Sequence, residues 1–127
     1  MLPILDCFPG RLNQVFLNIL LNGLQSIDDK PNGKVIVGTK FLKEKNLVQI
    51  SFENNGPVIS TKIKDRIFEP FFTTKEVGKG TGLGLSISYG IIKDHEGEIW
   101  VETTKENTTI FYIHLPVLPI IGNSSTH

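Results

Sequence analysis

Apolar positions along the chain recur with two different periods, and each change of period marks a new element. Between Arg11 and Ile27 the residues Leu12, Val15, Phe16, Ile19, Leu20, Leu24 and Ile27 stand three or four apart, the spacing of one buried face of an α-helix. Two runs then alternate at period two, first Val35, Val37, Thr39 and Phe41, then Val48, Ile50 and Phe52. They predict two strands, joined antiparallel through the polar turn at Glu44 to Asn46. A second helix is expected from about Leu83 to Asp94. Alternation returns over Glu98 to Thr103 and Thr109 to Leu115, with Ile99, Val101, Phe111, Ile113 and Leu115 on the apolar faces of two further strands.

The stretches between are weaker in pattern. Leu2 to Phe8 is too short to classify, and Pro9-Gly10 reads as the turn that closes it. A short helix is expected over Ile63 to Phe68, before the break at Pro70, Phe71 and Phe72, and the stretch after Pro116, ending in Asn-Ser-Ser-Thr-His, reads as a frayed tail. Four strands with helices between them, but no regular strand-helix-strand alternation, point to an α+β layer and not to a doubly wound parallel sheet.

Composition narrows the classes. A chain of 127 residues is expected to form one compact domain that buries roughly two-thirds of its unfolded surface. The only cysteine, Cys7, cannot form an intrachain bridge, which fits a reducing cytoplasm and argues against a secreted scaffold. Thirteen basic and thirteen acidic residues cancel, so no overall field favours DNA, RNA or an anionic membrane. Locally, five basic residues (Lys62, Lys64, Arg66, Lys75, Lys79) outnumber three acidic ones (Asp65, Glu69, Glu76), which suits a small polyanion. No apolar run approaches the ~18 residues of a membrane helix, which predicts a soluble chain, and the abrupt start at Met1 suggests a piece of a longer protein.

Two features carry candidate chemistry. Gly78, Gly80, Gly82 and Gly84 fall on alternate positions and run into the second helix, so the backbone there either forms a flexible surface loop or wraps a phosphate with its N–H groups. A P-loop is excluded because Lys79 is followed by Gly80. The GxGxxG fingerprint is excluded because Leu83, Leu85 and Ile87 stand where its last glycine is required. On the first helix, Asn18 and Asn22 are four apart and emerge from the same side, beside the apolar stripe. They are either partly exposed polar residues at the stripe's edge or neutral oxygen ligands for a hard cation such as Mg²⁺. Asn54, in the turn Glu53-Asn54-Asn55-Gly56-Pro57, stands at a strand mouth.

Taken together, QVFLNILLNGLQSI, ENNGPVIS, IFEPFFTTK, GKGTGLGLSIS and the closing HEGEIWVET with TTIFYIHLP resemble, in order, the N box, first glycine box, F box, second glycine box and last strands of the ATP-binding domain of sensor histidine kinases. The wider group includes DNA gyrase, the MutL mismatch-repair proteins and the large heat-shock chaperone ATPases. The resemblance covers about residues 3–116 and implies a Bergerat-type fold: a two-layer α/β sandwich, its mixed sheet packed on helices, with a mobile ATP lid. Residues 1–116 would form that domain, short of the family's first edge strand, and residues 117–127 a flexible tail.

By resemblance, Asn22 would hold Mg²⁺ with Asn18 assisting at the metal or phosphates. Gly80, Thr81, Gly82, Leu83 and Gly84 would wrap the phosphates, with Lys79 as charge partner and Lys75 reaching in as a lid from Pro70 to Gly80 closes. Gly56, Val58, Ile59, Phe68, Leu85 and Thr109 would complete the ATP site, and Asn54 would face the base. The implied activity is transfer of the γ-phosphate of Mg-ATP to a histidine on a separate helical dimerisation domain, with a response regulator downstream. The parent would be a homodimer and this chain a monomer, acting in the cytoplasm without nucleic acid.

The chain departs from the family's Asp-x-Gly-x-Gly at Asn54 and Val58. That leaves a second reading, a nucleotide-binding or regulatory module without catalysis. A third, a hydrolysing ATPase switch, is disfavoured because Asn18 stands where those enzymes carry a glutamate, and an amide is no general base. Asn54 can meet a base in two orientations: one suits adenine's amino group, the other guanine's carbonyl. His95 precedes Glu96 but falls in the turn before a strand, and with His114 and His127 it reads as an ordinary residue and not as the phosphate acceptor.

Overall fold

The computed structural model describes residues 9–70 and 84–117. Helix α1 (Pro9–Ser26) begins earlier than the pattern predicts, because Pro9-Gly10 enters the helix and does not form a separate turn. Proline suits a first helical turn: its φ is already helical, and its missing N–H has no helical partner to lose. Leu12, Val15 and Ile19 form the buried face, with Phe16 and Leu20 packed beside them.

Strands β1 (Val35–Leu42) and β2 (Leu47–Asn54) form an antiparallel hairpin through a 3-10 turn at Lys43–Lys45. Asn46 closes it in the left-handed region with φ 56°, a conformation that asparagine tolerates better than most residues. Helix α2 (Gly84–Asp94) is followed by β3 (Glu98–Thr103) and β4 (Thr109–Pro116). The turn after α2 is made by Gly97 N–H donating to Ile92 O at 2.9 Å, with Glu96 at φ 60°. His95 sits in this turn, as expected.

The sheet order is β1-β2-β4-β3, and all three pairings are antiparallel. The parallel pairing that a mixed sheet requires is not found among the described residues. Both helices pack on one face, α1 over β2 and α2 over β3, which makes the expected α+β two-layer arrangement. The core between the layers contains Val48, Ile50, Phe52, Ile91, Ile92, Ile99, Val101, Phe111, Ile113 and Leu115.

Two further expectations are revised. Ile63 to Phe68 is a succession of turns and not a helix: Ile63, Arg66 and Glu69 donate to Ser60, Ile63 and Arg66, each three residues back. A single turn fixes many torsions for one hydrogen bond, so such a short segment gains little from helical propagation. The folded body extends past Pro116 to Val117, which is buried and exchanges hydrogen bonds with Asn46 at 3.1 and 3.2 Å. β1 forms the expected strand, with its alternating face open: Val37 is 51% exposed.

Candidate functional site

The two helices run antiparallel, as two contacts show. Arg11 near the start of α1 pairs with Asp94 at the end of α2 at 2.6 Å, while Asn18 meets the first turn of α2. Asn18 Nδ2 donates to Gly84 O at 3.4 Å and to Ser88 Oγ at 3.5 Å, and Ser88 Oγ donates back to Gly84 O at 2.9 Å. Ser88 is fully buried, so this small network anchors the opening turn of α2 against the middle of α1. Asn22, one turn further along, is half-buried and makes no side-chain hydrogen bond among the described residues. Its amide oxygen is therefore free for a ligand, whereas Asn18 has its nitrogen engaged.

A second group forms where β2 ends. Asn54 is 4% exposed and is directly opposite Thr109, the first residue of β4. Asn54 Oδ1 accepts the Gly56 N–H at 3.0 Å. Gly56 is wedged on the end of α1: a Cβ there would lie 2.6 Å from Ser26 O and 2.9 Å from Ser26 Cβ. Glycine is required by that close approach. Gly23 of α1 lies beside Val35 and Asn54, and a Cβ there would meet them at 3.5 and 3.7 Å, ordinary contact distances.

Thr109 has a buried Oγ1 with no hydrogen-bond partner. Leaving such a group unpaired costs about 1–3 kcal/mol, so a polar ligand next to Asn54 would relieve it. The residues present fit a heterocyclic base at β2–β4 and a metal–phosphate group at Asn22. A cluster of three or more His, Cys, Asp or Glu side chains is absent among the described residues. Asn18, Asn22, Asn54 and Thr109 are all neutral, so this part of the site brings hydrogen-bonding groups and no charge.

The other expected site residues are dispersed. Gly84 and Leu85 open α2, with Leu85 packed on the core. Val58 is exposed, and Ile59 packs on the core while its carbonyl accepts Thr103 Oγ1 at 3.3 Å. Phe68 packs among aromatic rings. Its ring lies 5.6 Å from Tyr89 and 6.4 Å, edge-on, from Phe111. It lines a cleft of about 290 Å³ with Lys64, Tyr89 and the β3 edge. Lys75, Lys79, Gly80, Thr81, Gly82 and Leu83, and with them the expected lid, lie outside the described residues.

Sequence reasoning missed Gly23, Ser26 and Ser88. Gly23 left a signal, because a glycine inside a helix costs about 1 kcal/mol and so hints at a close approach. Ser88 left none.

The sequence model of the family described as histidine kinase-, DNA gyrase B-, and HSP90-like ATPase matches residues 8–119. The chain belongs to this family. Within it, sporulation kinase E of Bacillus subtilis (strain 168) is 42% identical over 116 residues, which cover 91% of this chain and 15% of that protein. The chain thus spans a small part of the curated relative that it matches. A nucleotide-free catalytic domain of histidine kinase ThkA superposes with a TM-score of 0.77 at 38% identity, covering 91% of this chain and 73% of that one. Histidine kinase ThkA in complex with response regulator protein TrrA gives a TM-score of 0.72 at 34% identity, over 91% of this chain and 31% of that one. The neutral pair on α1 and the turn at Gly56 after β2 thus lie in a chain with the ATP-binding fold of sensor histidine kinases.

Proposed function

We propose that the chain is the ATP-binding, phosphoryl-donating module of a sensor histidine kinase. It binds Mg-ATP and presents the γ-phosphate to a histidine on a separate helical dimerisation domain of a homodimeric parent, with a response regulator downstream. The observation that carries this is the placement of Asn18 and Asn22 on the side of α1 that meets the opening of α2, in a chain matched by the family from residue 8 to 119.

The contacts of α1 and β2, together with the family resemblance, support these roles. Asn22 would hold Mg²⁺ through its amide oxygen, and Mg²⁺ when bound neutralises phosphate charge. Asn18 positions the start of α2 through Gly84 and Ser88, and its amide cannot take a proton from water, which favours transfer over hydrolysis. Asn54 and Thr109 hold the base. Lys75 and Lys79 would supply the positive charge that the neutral residues lack, and residues 80–84 the backbone N–H groups. Residues 1–117 are proposed as the module and residues 118–127 as its tail, in a cytoplasmic monomer; among the described residues no helix is long and apolar enough to cross a membrane.

His95 stands in the turn after α2, its Nδ1 2.8 Å from Ile91 O, whereas the proposed acceptor is a histidine on a separate helical domain. The chain alone is therefore expected to bind ATP without labelling itself from radiolabelled ATP. Titration with and without Mg²⁺ tests the site: Asn22→Ala should weaken binding roughly tenfold in Mg²⁺ and little without it. Equal losses in both conditions would remove Asn22 from the metal site, and stable label on His95 would contradict the need for a separate acceptor.

A further inference from the structure

We propose that Asn54 makes the base site read a hydrogen-bond acceptor, so that it takes purine triphosphates with a 6-oxo group, those of hypoxanthine and guanine, at least as tightly as ATP. This rests on the nucleotide reading above and adds to it the chemistry of the base.

From sequence, the amide of Asn54 has two orientations. The structure leaves one. A backbone N–H can only donate, so the Asn54 atom 3.0 Å from Gly56 N is the oxygen. Turning the amide over would set its NH₂ against that N–H and leave a buried donor unpaired. The turn that carries this N–H is packed on the last turn of α1, where a Cβ on Gly56 would lie 2.6 Å from Ser26 O. The oxygen is therefore committed to the chain, and Nδ2 is the atom left for a ligand. Nδ2 lies beside Gly23 of α1, 3.7 Å from where a Cβ there would sit, and makes no hydrogen bond among the described residues.

Across the ladder, Thr109 offers its buried, unpartnered Oγ1. A hydroxyl both donates and accepts, so it tolerates either the acceptor N1 of adenine or the N1–H of a 6-oxo purine. Discrimination then falls on the group at C6. Adenine presents an amine there, which sets donor against the Nδ2 donor; hypoxanthine and guanine present a carbonyl, which accepts from it. An aspartate at this position would keep one oxygen on Gly56 and turn a second acceptor to the base, reversing the preference. One hydrogen bond made in the first case and one donor left unpaired in the second amount to about a tenfold difference in affinity.

Calorimetric titration of the 127-residue chain with the Mg²⁺ salts of ATP, ITP, GTP and purine riboside triphosphate tests this. ITP isolates the 6-oxo group, because it lacks the 2-amino group of GTP, and the unsubstituted purine has nothing at C6. The expected order is ITP tightest, the unsubstituted purine next and ATP weakest, with ITP about tenfold tighter than ATP. Asn54→Asp should move the ITP-to-ATP ratio at least tenfold towards ATP. The native series decides the matter if that variant fails to fold. ATP binding more tightly than ITP, or a ratio unchanged by Asn54→Asp in folded protein, overturns the inference while leaving the nucleotide site intact. If no purine triphosphate binds, the nucleotide reading fails, and this inference with it.

Discussion

Strands β1 and β2 are hydrogen-bonded neighbours with the same alternating pattern, yet only one of them has a buried face. In β2, Val48, Ile50, Phe52 and Asn54 are all under the helices, at 2%, 7%, 5% and 4% exposure. Their partners Phe41, Thr39, Val37 and Val35 lie on the same side of the sheet. Phe41 and Val37 are nonetheless 37% and 51% exposed. The helical layer causes this. It sits over β2 and β3, and α1 reaches β1 at Val35, beside Gly23. Alternation therefore records that a strand has one apolar side, whereas burial depends on what lies above it.

The largest expected effect breaks this pair apart directly. Phe52→Ala should destabilise the protein by about 3–5 kcal/mol, because it opens a cavity under α1, while Val37→Ala on the exposed partner should cost less than about 1 kcal/mol. Urea denaturation of the two variants measures the difference. Equal losses would mean that β1 is as well covered as β2.

Glycines give the next comparison. Gly56→Ala places a methyl against the backbone of Ser26 and should cost about 1–3 kcal/mol. Gly38→Ala on β1 meets only the Ser51 side chain, at 3.1 Å, and should change stability by less than about 1 kcal/mol either way. Thermal midpoints of both variants check this, and a harmless Gly56→Ala would mean that the turn can leave α1.

The smallest effect concerns the open face of the sheet, where His114 of β4 meets Gln49 of β2 at 2.9 Å and the Trp100 ring edge-on at 4.7 Å. Partial burial, assisted by the charge of Lys45 and opposed by Glu98, lowers the His114 pKa from its ordinary 6.5. Between the lowered value and 6.5 the unfolded chain binds more protons than the folded one, so stability rises with pH in that window. The contribution is fully present above about 6.5 and is lost as pH falls through the folded value. Urea midpoints measured from pH 7.5 down to 5 should fall slightly in the native chain, and His114→Gln should remove part of that slope. An unchanged slope would show that His114 is as free to charge as in the unfolded chain.

Periodicity alone determined α1 and the four strands, because each has one apolar face and the two spacings are distinct. It also set Asn18 and Asn22 one turn apart, which is a property of any helix. Where a segment is a single turn long, as between Ile63 and Phe68, the same spacing serves a run of turns equally well, and burial of Ile67 in the assembled core decides its shape. The covering of β1 was open for the same reason, since it depends on where α1 comes to rest. Tertiary structure alone decided the orientation of the Asn54 amide. In sequence it has two equivalent faces; in the fold, Ser26 pins Gly56 from the end of a distant helix, and the N–H held there can be answered only by the oxygen.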